Sequence, residues 1–404
     1  MRCPALALLA LSAAAQPYSQ RGFLEFRNFL YPQTAATDRA RFVSEALLRY
    51  EAGYQAAPTV KLNLSLDARF DSHRQFAREA RLDVLDQNAP RPALSLRRAS
   101  LTWHRGGATV EAGRQFVRWG KADLLNPTDR FAPRDYLNPL LTDYLGVTAA
   151  RLTYERGPHT LDLVFVPLFT PSRVPLLGQR WAVLPEGLPP IALRDEGARY
   201  PGRGQAGLRF SRAGAGHEFS VSYYDGFYHL PAFDAALRPP ATAGLQRRYP
   251  RLRLYGGDMA VPLPWFTLKS EAGFFQSNDR QVDEFLQYVI QLERISGEWV
   301  FVGGYAGEYV TRERSSLDFN PERGIARTIL GRASYNLDAN RTVAFEGALR
   351  QDGNGAYGRF EFTQALGAHW RATAGFVLLR GSAADFLGQY RRNSNVTFAL
   401  RYSF

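Results

Sequence analysis

Cysteine is all but missing: Cys3 is the only one in 404 residues. Disulfides, thiolate catalysis and cysteine-ligated metal or haem are excluded with it. Lysine is nearly as scarce, because Lys61, Lys121 and Lys269 are the only lysines among 50 basic residues, so the positive charge is arginine. Beyond the first fifteen residues no stretch approaches the roughly 18 consecutive apolar residues of a transmembrane helix. No linker or block of like charge divides the chain. What is present is aromatic and glycine-rich: 27 Phe, 20 Tyr, 6 Trp and 35 Gly, at 45% hydrophobic and 22% charged. That composition excludes disorder, collagen and coiled coil. The net charge of +12 against 38 acidic residues suits an anionic partner and gives no sign of nucleic acid.

Residues 1–15 have the pattern of an export signal: Arg2, an apolar run from Ala5 to Leu11, and Ser12-Ala13-Ala14-Ala15 before Gln16. The expected organisation is a signal peptide over 1–15 and a single domain over 16–404.

Period-two alternation dominates the rest. Val60, Leu62, Leu64, Leu66, Ala68 and Phe70 share one face, and Lys61, Asn63, Ser65, Asp67 and Arg69 the other. Eleven such residues fit a tilted strand crossing a bilayer. The last segment alternates in the same way, with Val396, Phe398, Leu400, Tyr402 and Phe404 on one side. A final aromatic strand ending on Phe404 resembles the C-terminal signature of bacterial outer-membrane β-barrels.

Eighteen candidate strands begin near residues 22, 46, 60, 93, 108, 147, 160, 205, 218, 250, 265, 285, 299, 326, 341, 356, 370 and 394. Their connections alternate between short turns such as Gly106-Gly107 and Gly297-Glu298 and long loops such as 121–146 and 170–204. A sandwich with Greek-key crossovers would break that parity, whereas a barrel with short periplasmic turns and long extracellular loops requires it. The expected fold is therefore all-β: a transmembrane antiparallel β-barrel of about 18 strands. Sixteen is the alternative, because 22–30 and 250–259 alternate less clearly. Trp103, Trp299 and Trp370, each beside a short turn, suit an interfacial girdle.

Few motifs point to chemistry. Gly202-x-Gly204-x-x-Gly207 and Gly353-x-Gly355-x-x-Gly358 match the dinucleotide pattern formally, but a strand rather than a helix follows each. The six histidines lack metal-ligand spacing. Ser100 and His104 could share a strand face, which falls short of a hydrolase site. No catalytic residue, metal or cofactor is expected, and the protein is not expected to be an enzyme.

The segment from Gly113-Arg114-Gln115 through Trp119-Gly120 and Asn126-Pro127 to Asn138-Pro139 stands apart. Arg114, Phe116 and Arg118 fall on one face and Gln115, Val117 and Trp119 on the other, which gives no clean split between lipid and lumen. A bulge at the outer end of the strand would account for it. With few glycines and several Asn-Pro and Pro-Arg-Asp turns, the following loop is ordered, either as an outer brace or as an inward-folded constriction. In the second case Arg114, Arg118, Lys121, Asp123, Asp129, Arg130, Arg134 and Asp135 would meet solute. The segment resembles an uncharacterised family of proteobacterial outer-membrane barrels with a comparable Gly-Arg-Gln, Trp-Gly and Asn-Pro pattern. Tyr249–Asp258 and Lys269–Ala272 carry the same likeness, which implies fold and compartment but no substrate. A looser resemblance, to alginate-export porins, rests on barrel size and arginine content.

Assigning each polar face to the lumen places Arg49, Lys61, Arg69, Arg151, Arg209, Arg251, Arg253, Lys269, Arg332, Arg350, Arg359, Arg371 and Arg401 inside. Against them stand Glu51, Asp67, Glu155, Glu271, Glu293, Glu308, Glu346 and Glu361. Arg151, Arg209, Arg332, Arg350, Arg359 and Arg371 join the loop residues as candidates for the solute path. The expected function is a porin-like outer-membrane channel passing small or polymeric anionic solutes; the alternative is a barrel partner of an envelope export or lipid-handling assembly that conducts little alone. Expected partners are outer-membrane lipid and the barrel-assembly machinery, with an anionic solute and a periplasmic protein as candidates. Segment 170–204, with six prolines and Trp181, is expected to pack into the barrel mouth or against 121–146.

Overall fold

A computed structural model describes residues 17–79, 81–183, 192–238, 242–314 and 319–404. The export signal expected over 1–15 lies outside the described residues.

Alternating side chains and tight turns close one antiparallel barrel. Its strands are β1 Tyr18–Leu30, β2 Phe42–Ala57, β3 Val60–Asp71, β4 Leu94–Arg105, β5 Ala108–Gln115, β6 Val147–Arg156, β7 His159–Val166, β8 Gln205–Gly214 and β9 His217–Phe227. They continue as β10 Arg251–Pro262, β11 Thr267–Gln276, β12 Glu284–Ser296, β13 Trp299–Arg312, β14 Thr328–Asp338, β15 Arg341–Arg350, β16 Ala356–Leu366, β17 Trp370–Arg380 and β18 Asn395–Ser403. Each pairs antiparallel with the next. The circle closes between β1 and β18, with Leu24 opposite Tyr402 and Phe26 opposite Leu400. Closure leaves no free edge, as hydrocarbon demands of a sheet that must satisfy every backbone group.

The eighteen-strand reading holds. Both weaker segments pair along their length: β1 with β2 and β18, and β10 with β9 and β11. Ile329, Phe345, Leu349 and Phe376 project outward and exposed. Between them, Arg332, Glu346 and Arg359 form an inward cross-strand row of alternating charge. At the short-turn end, Gly106 and Gly297 adopt φ of +57° and +58°, a left-handed backbone that a Cβ would strain. Trp103, Trp299 and Trp370, joined by Trp265, are exposed beside these turns, and Trp299 packs on Tyr335 with ring centres 4.7 Å apart.

One irregularity in the wall shapes the interior. Ser65 faces Arg98 but Leu66 faces Leu96, so Arg97 is the extra residue of a β-bulge in β4. At the long-loop end, Ala192–Arg199 pairs parallel with Thr242–Arg248, which pairs antiparallel with Ala232–Arg238, extending the sheet structure beyond the barrel.

Closure is completed by the last residue. Gly22 N–H donates to the Phe404 carbonyl (2.9 Å), and Phe404 N–H donates to that of Gly22 (3.0 Å). Deleting Phe404 removes this exchanged pair and the ring lying over Gly22. The expected result is a sharp fall in heat-modifiable, membrane-inserted protein, read by gel migration of outer-membrane fractions. An undiminished yield would show that closure does not need the residue.

Candidate functional site

At Gly113 the backbone takes φ +112°, and two residues later β5 ends. The connection over 116–146 then enters the lumen. Val117, Trp119 and Phe131 pack on the inward faces of Val147, Val164, Tyr224, Leu252, Leu254, Phe275 and Phe285. Phe131 meets Trp119 and Tyr224 edge-on, with ring centres at 5.1 and 4.9 Å. Farther along, Ala122 and Leu125 pack on Val289 and Ala306. The loop thus lines the wall from β6 to β13. Full burial of each large apolar side chain contributes about 1.5–3 kcal/mol.

Polar contacts fix its course. The Glu271 carboxylate on β11 accepts from the backbone N–H groups of Lys121 (3.0 Å), Ala122 (3.2 Å) and Thr128 (2.8 Å), and from the Thr128 hydroxyl (2.7 Å). Trp119 Nε1 donates to Asp162 on β7 (2.9 Å). Asp123 accepts from Gln291 (2.6 Å) and Lys269 (3.0 Å). Arg130 pairs with Glu322 at 2.9 Å, on the short helix α1 (Pro321–Gly324) of the loop after β13. Burial opposes ionisation of Glu322, but Arg130 and then Arg134 override it and hold its carboxyl below the usual range.

Replacing Glu271 with Leu orphans all four donors at once. Each buried unpaired donor costs about 1–3 kcal/mol. The expected result is a loop that comes away from β11: lower thermal stability, and proteolysis within 116–146 where the unmutated protein resists. Unchanged protection would place the anchor elsewhere.

The second half of the loop returns as a small hairpin, Arg134–Asp135 paired with Asp143–Tyr144. Asp135 bonds Arg91 (2.7 Å) and Arg173 (3.2 Å), and this pair of cations depresses its carboxyl despite complete burial. Segment 170–183 lies over this hairpin. Arg134 N–H donates to Ser172 Oγ (2.9 Å), Tyr136 N–H donates to the Arg173 carbonyl (3.1 Å), and Trp181 is buried with Val377, Leu379 and Tyr390. Packing at the barrel mouth therefore occurs over 170–183, while 184–191 lies outside the described residues.

A cavity of about 230 Å³ lies between the loop, at Asn138, Leu140 and Leu141, and the wall made by β1 and β16 to β18. Its charged lining is Arg27, Arg359, Arg371 and Arg401 with Glu25 and Glu361, four cations against two anions. Glu25 bridges Arg27 (2.7 Å) and Arg401 (2.8 Å), and Arg359 pairs with Glu361. Arg371 has no carboxylate at ion-pair distance among the described residues. Toward the long loops a vestibule of about 1510 Å³ opens, and Trp181 lines both spaces.

The closed antiparallel barrel has solved counterparts. The fold is that of the outer-membrane porins. A BenF-like porin from Pseudomonas fluorescens superposes with TM-score 0.57 at 10% identity, over 96% of this chain and 98% of that one. OccAB4 of Acinetobacter baumannii gives 0.54 at 9% identity over 96% and 98%, and OpdQ of Pseudomonas aeruginosa 0.51 at 12% over 95% and 97%. No protein-family model and no curated protein matches the sequence. With its outward apolar side chains, the closed barrel has the build of one that spans a bacterial outer membrane.

Within this porin fold the sequence-predicted residues separate into groups. Arg359 and Arg371 line the open cavity. Arg118 stays half exposed, 3.3 Å from Asp129 and stacked on Tyr144, as is Arg134. Asp123, Asp129, Arg130 and Asp135 are fastened within the loop contacts, and Lys121 reaches Glu218 and Asp258. Arg151 pairs with Asp162 (2.6 Å), Arg209 with Asp258 (2.9 Å) and Arg350 with Asp385 (3.0 Å). Arg332 faces the lumen opposite Glu346.

Two placements need correction. Arg114 is not in the lumen: it lies opposite Thr148, on the other face from Gln115 and Val147, and is buried against Asp86 (3.2 Å) and the Val84 carbonyl (2.9 Å). Arg251 and Arg253 point outward to Asp225, because Leu252 and Leu254 turn inward to cover the loop. The sequence reading also missed Glu25, Arg27, Arg97 and Asp143. For Arg97 a signal existed: outward leucines fall at 94 and 96 but then at 101, a slip of phase that marks a bulge.

Proposed function

We propose that this chain is an outer-membrane channel that prefers anions and passes small acidic solutes, an organic acid or a sugar acid. The observation that carries this reading is the lining of the residual cavity, four arginines against two glutamates, with Arg371 unpaired among the described residues. A positive potential in a narrow passage with low-dielectric walls concentrates anions and disfavours cations. Planar guanidinium groups suit carboxylates, which they can meet with two parallel bonds. The folded-in loop supports small acids over the polymer that the alginate-export likeness brings to mind, since the cavity beside it holds about 230 Å³. Arg118 and Arg332 lie outside this cavity's lining, and the paired Arg151, Arg209 and Arg350 brace the wall. The test is the reversal potential of the purified protein in a planar bilayer under a KCl gradient, with anion preference expected.

A further inference from the structure

Three wall guanidiniums converge on one carboxylate that the loop supplies. Arg49 of β2, Arg69 of β3 and the bulge residue Arg97 of β4 approach Asp143 to 3.1, 3.4 and 2.7 Å. Arg97 holds both carboxylate oxygens, at 2.7 and 3.1 Å. From the wall side Asp67 bridges Arg49 (2.7 Å) and Arg69 (2.9 Å) and is 3% exposed, while the Asp143 side chain is 37% exposed. The wall alone therefore sets three cations against one anion, and the partly exposed loop carboxylate brings the cluster to three against two. Burial opposes ionisation of Asp143, but Arg97 first and then Arg49 and Arg69 hold its carboxyl at about 2. With the folded value depressed, the latch is lost only as pH falls toward that value, so near neutrality protonation does not release it.

We propose that the Arg49–Arg69–Arg97 claw is a binding site for the carboxylate of a passing acidic solute, and that Asp143 is a tethered competitor occupying it when solute is scarce. This rests on the anionic-cargo reading and adds to it a place and a competitor. A tethered group acts at an effective concentration on the order of millimolar or above. Solute carboxylates are therefore held only when abundant, and leave readily, as conduction requires.

Potassium acetate, chemically the side chain of Asp143, is the probe. Chloride current through single channels of the full protein is measured at fixed KCl while acetate is added. Asp143→Asn vacates the claw, so acetate should reduce the current at concentrations at least about tenfold lower than in the unmutated channel. Adding Arg97→Gln to that variant should remove the gain. Equal acetate sensitivity with and without Asp143→Asn overturns the proposal. Should the variant fail to assemble, a nitroxide at position 142 in a Cys3→Ser, Thr142→Cys protein reads the latch directly. Excess acetate must then mobilise the label where chloride of equal ionic strength does not, and an indifferent label overturns the site. Reversal potential separates this from the broader reading. Anion preference with no acetate difference sinks the claw alone; cation preference with the acetate gain sinks the cargo reading alone.

Discussion

Replacing residues 118–142 with a short Gly-Ser link will raise single-channel conductance on the order of threefold or more, because an eighteen-stranded wall without an internal loop encloses a wide aqueous lumen. The barrel itself is held by the closed strand ladder, so heat-modifiable migration should persist. Stability will fall, since Leu252, Leu254, Phe275 and Phe285 lose the loop that covers them. A folded variant with unchanged conductance would mean that the current never passed beside this loop.

The second large effect is on selectivity. Arg359→Glu combined with Arg371→Glu converts four arginines and two glutamates around the cavity into two arginines and four glutamates. Local potential follows the sign of the lining, so the anion preference should invert rather than merely weaken. Arg151→Glu with Arg209→Glu is the control. These cations are neutralised by Asp162 and Asp258, so the selectivity change should be smaller and the stability loss larger. Equal selectivity shifts in the two double variants would show that the cavity of β1 and β16 to β18 has no special part in selecting ions.

Alternation made the wall legible. Strand number, order and most turn positions follow from where apolar and polar residues trade places, because each strand separates lipid from water. The interior was legible only where it is wet. At β10 the lumen face packs on the loop, so Leu252 and Leu254 turn inward and the rule that polar means lumen inverts. The course of residues 116–146 depends on contacts more than a hundred positions away, such as Glu271 with Thr128, which no local pattern encodes. No local pattern marks Asp143 for the same reason: its surroundings come from distant strands.

The direct measurement is the reversal potential of the unmutated, purified protein in a planar bilayer separating two KCl concentrations. A potential of the sign set by chloride is expected, moving through zero to the opposite sign in the Arg359→Glu, Arg371→Glu protein. A potassium-selective potential in the unmutated channel would contradict the arginine-lined path at its root.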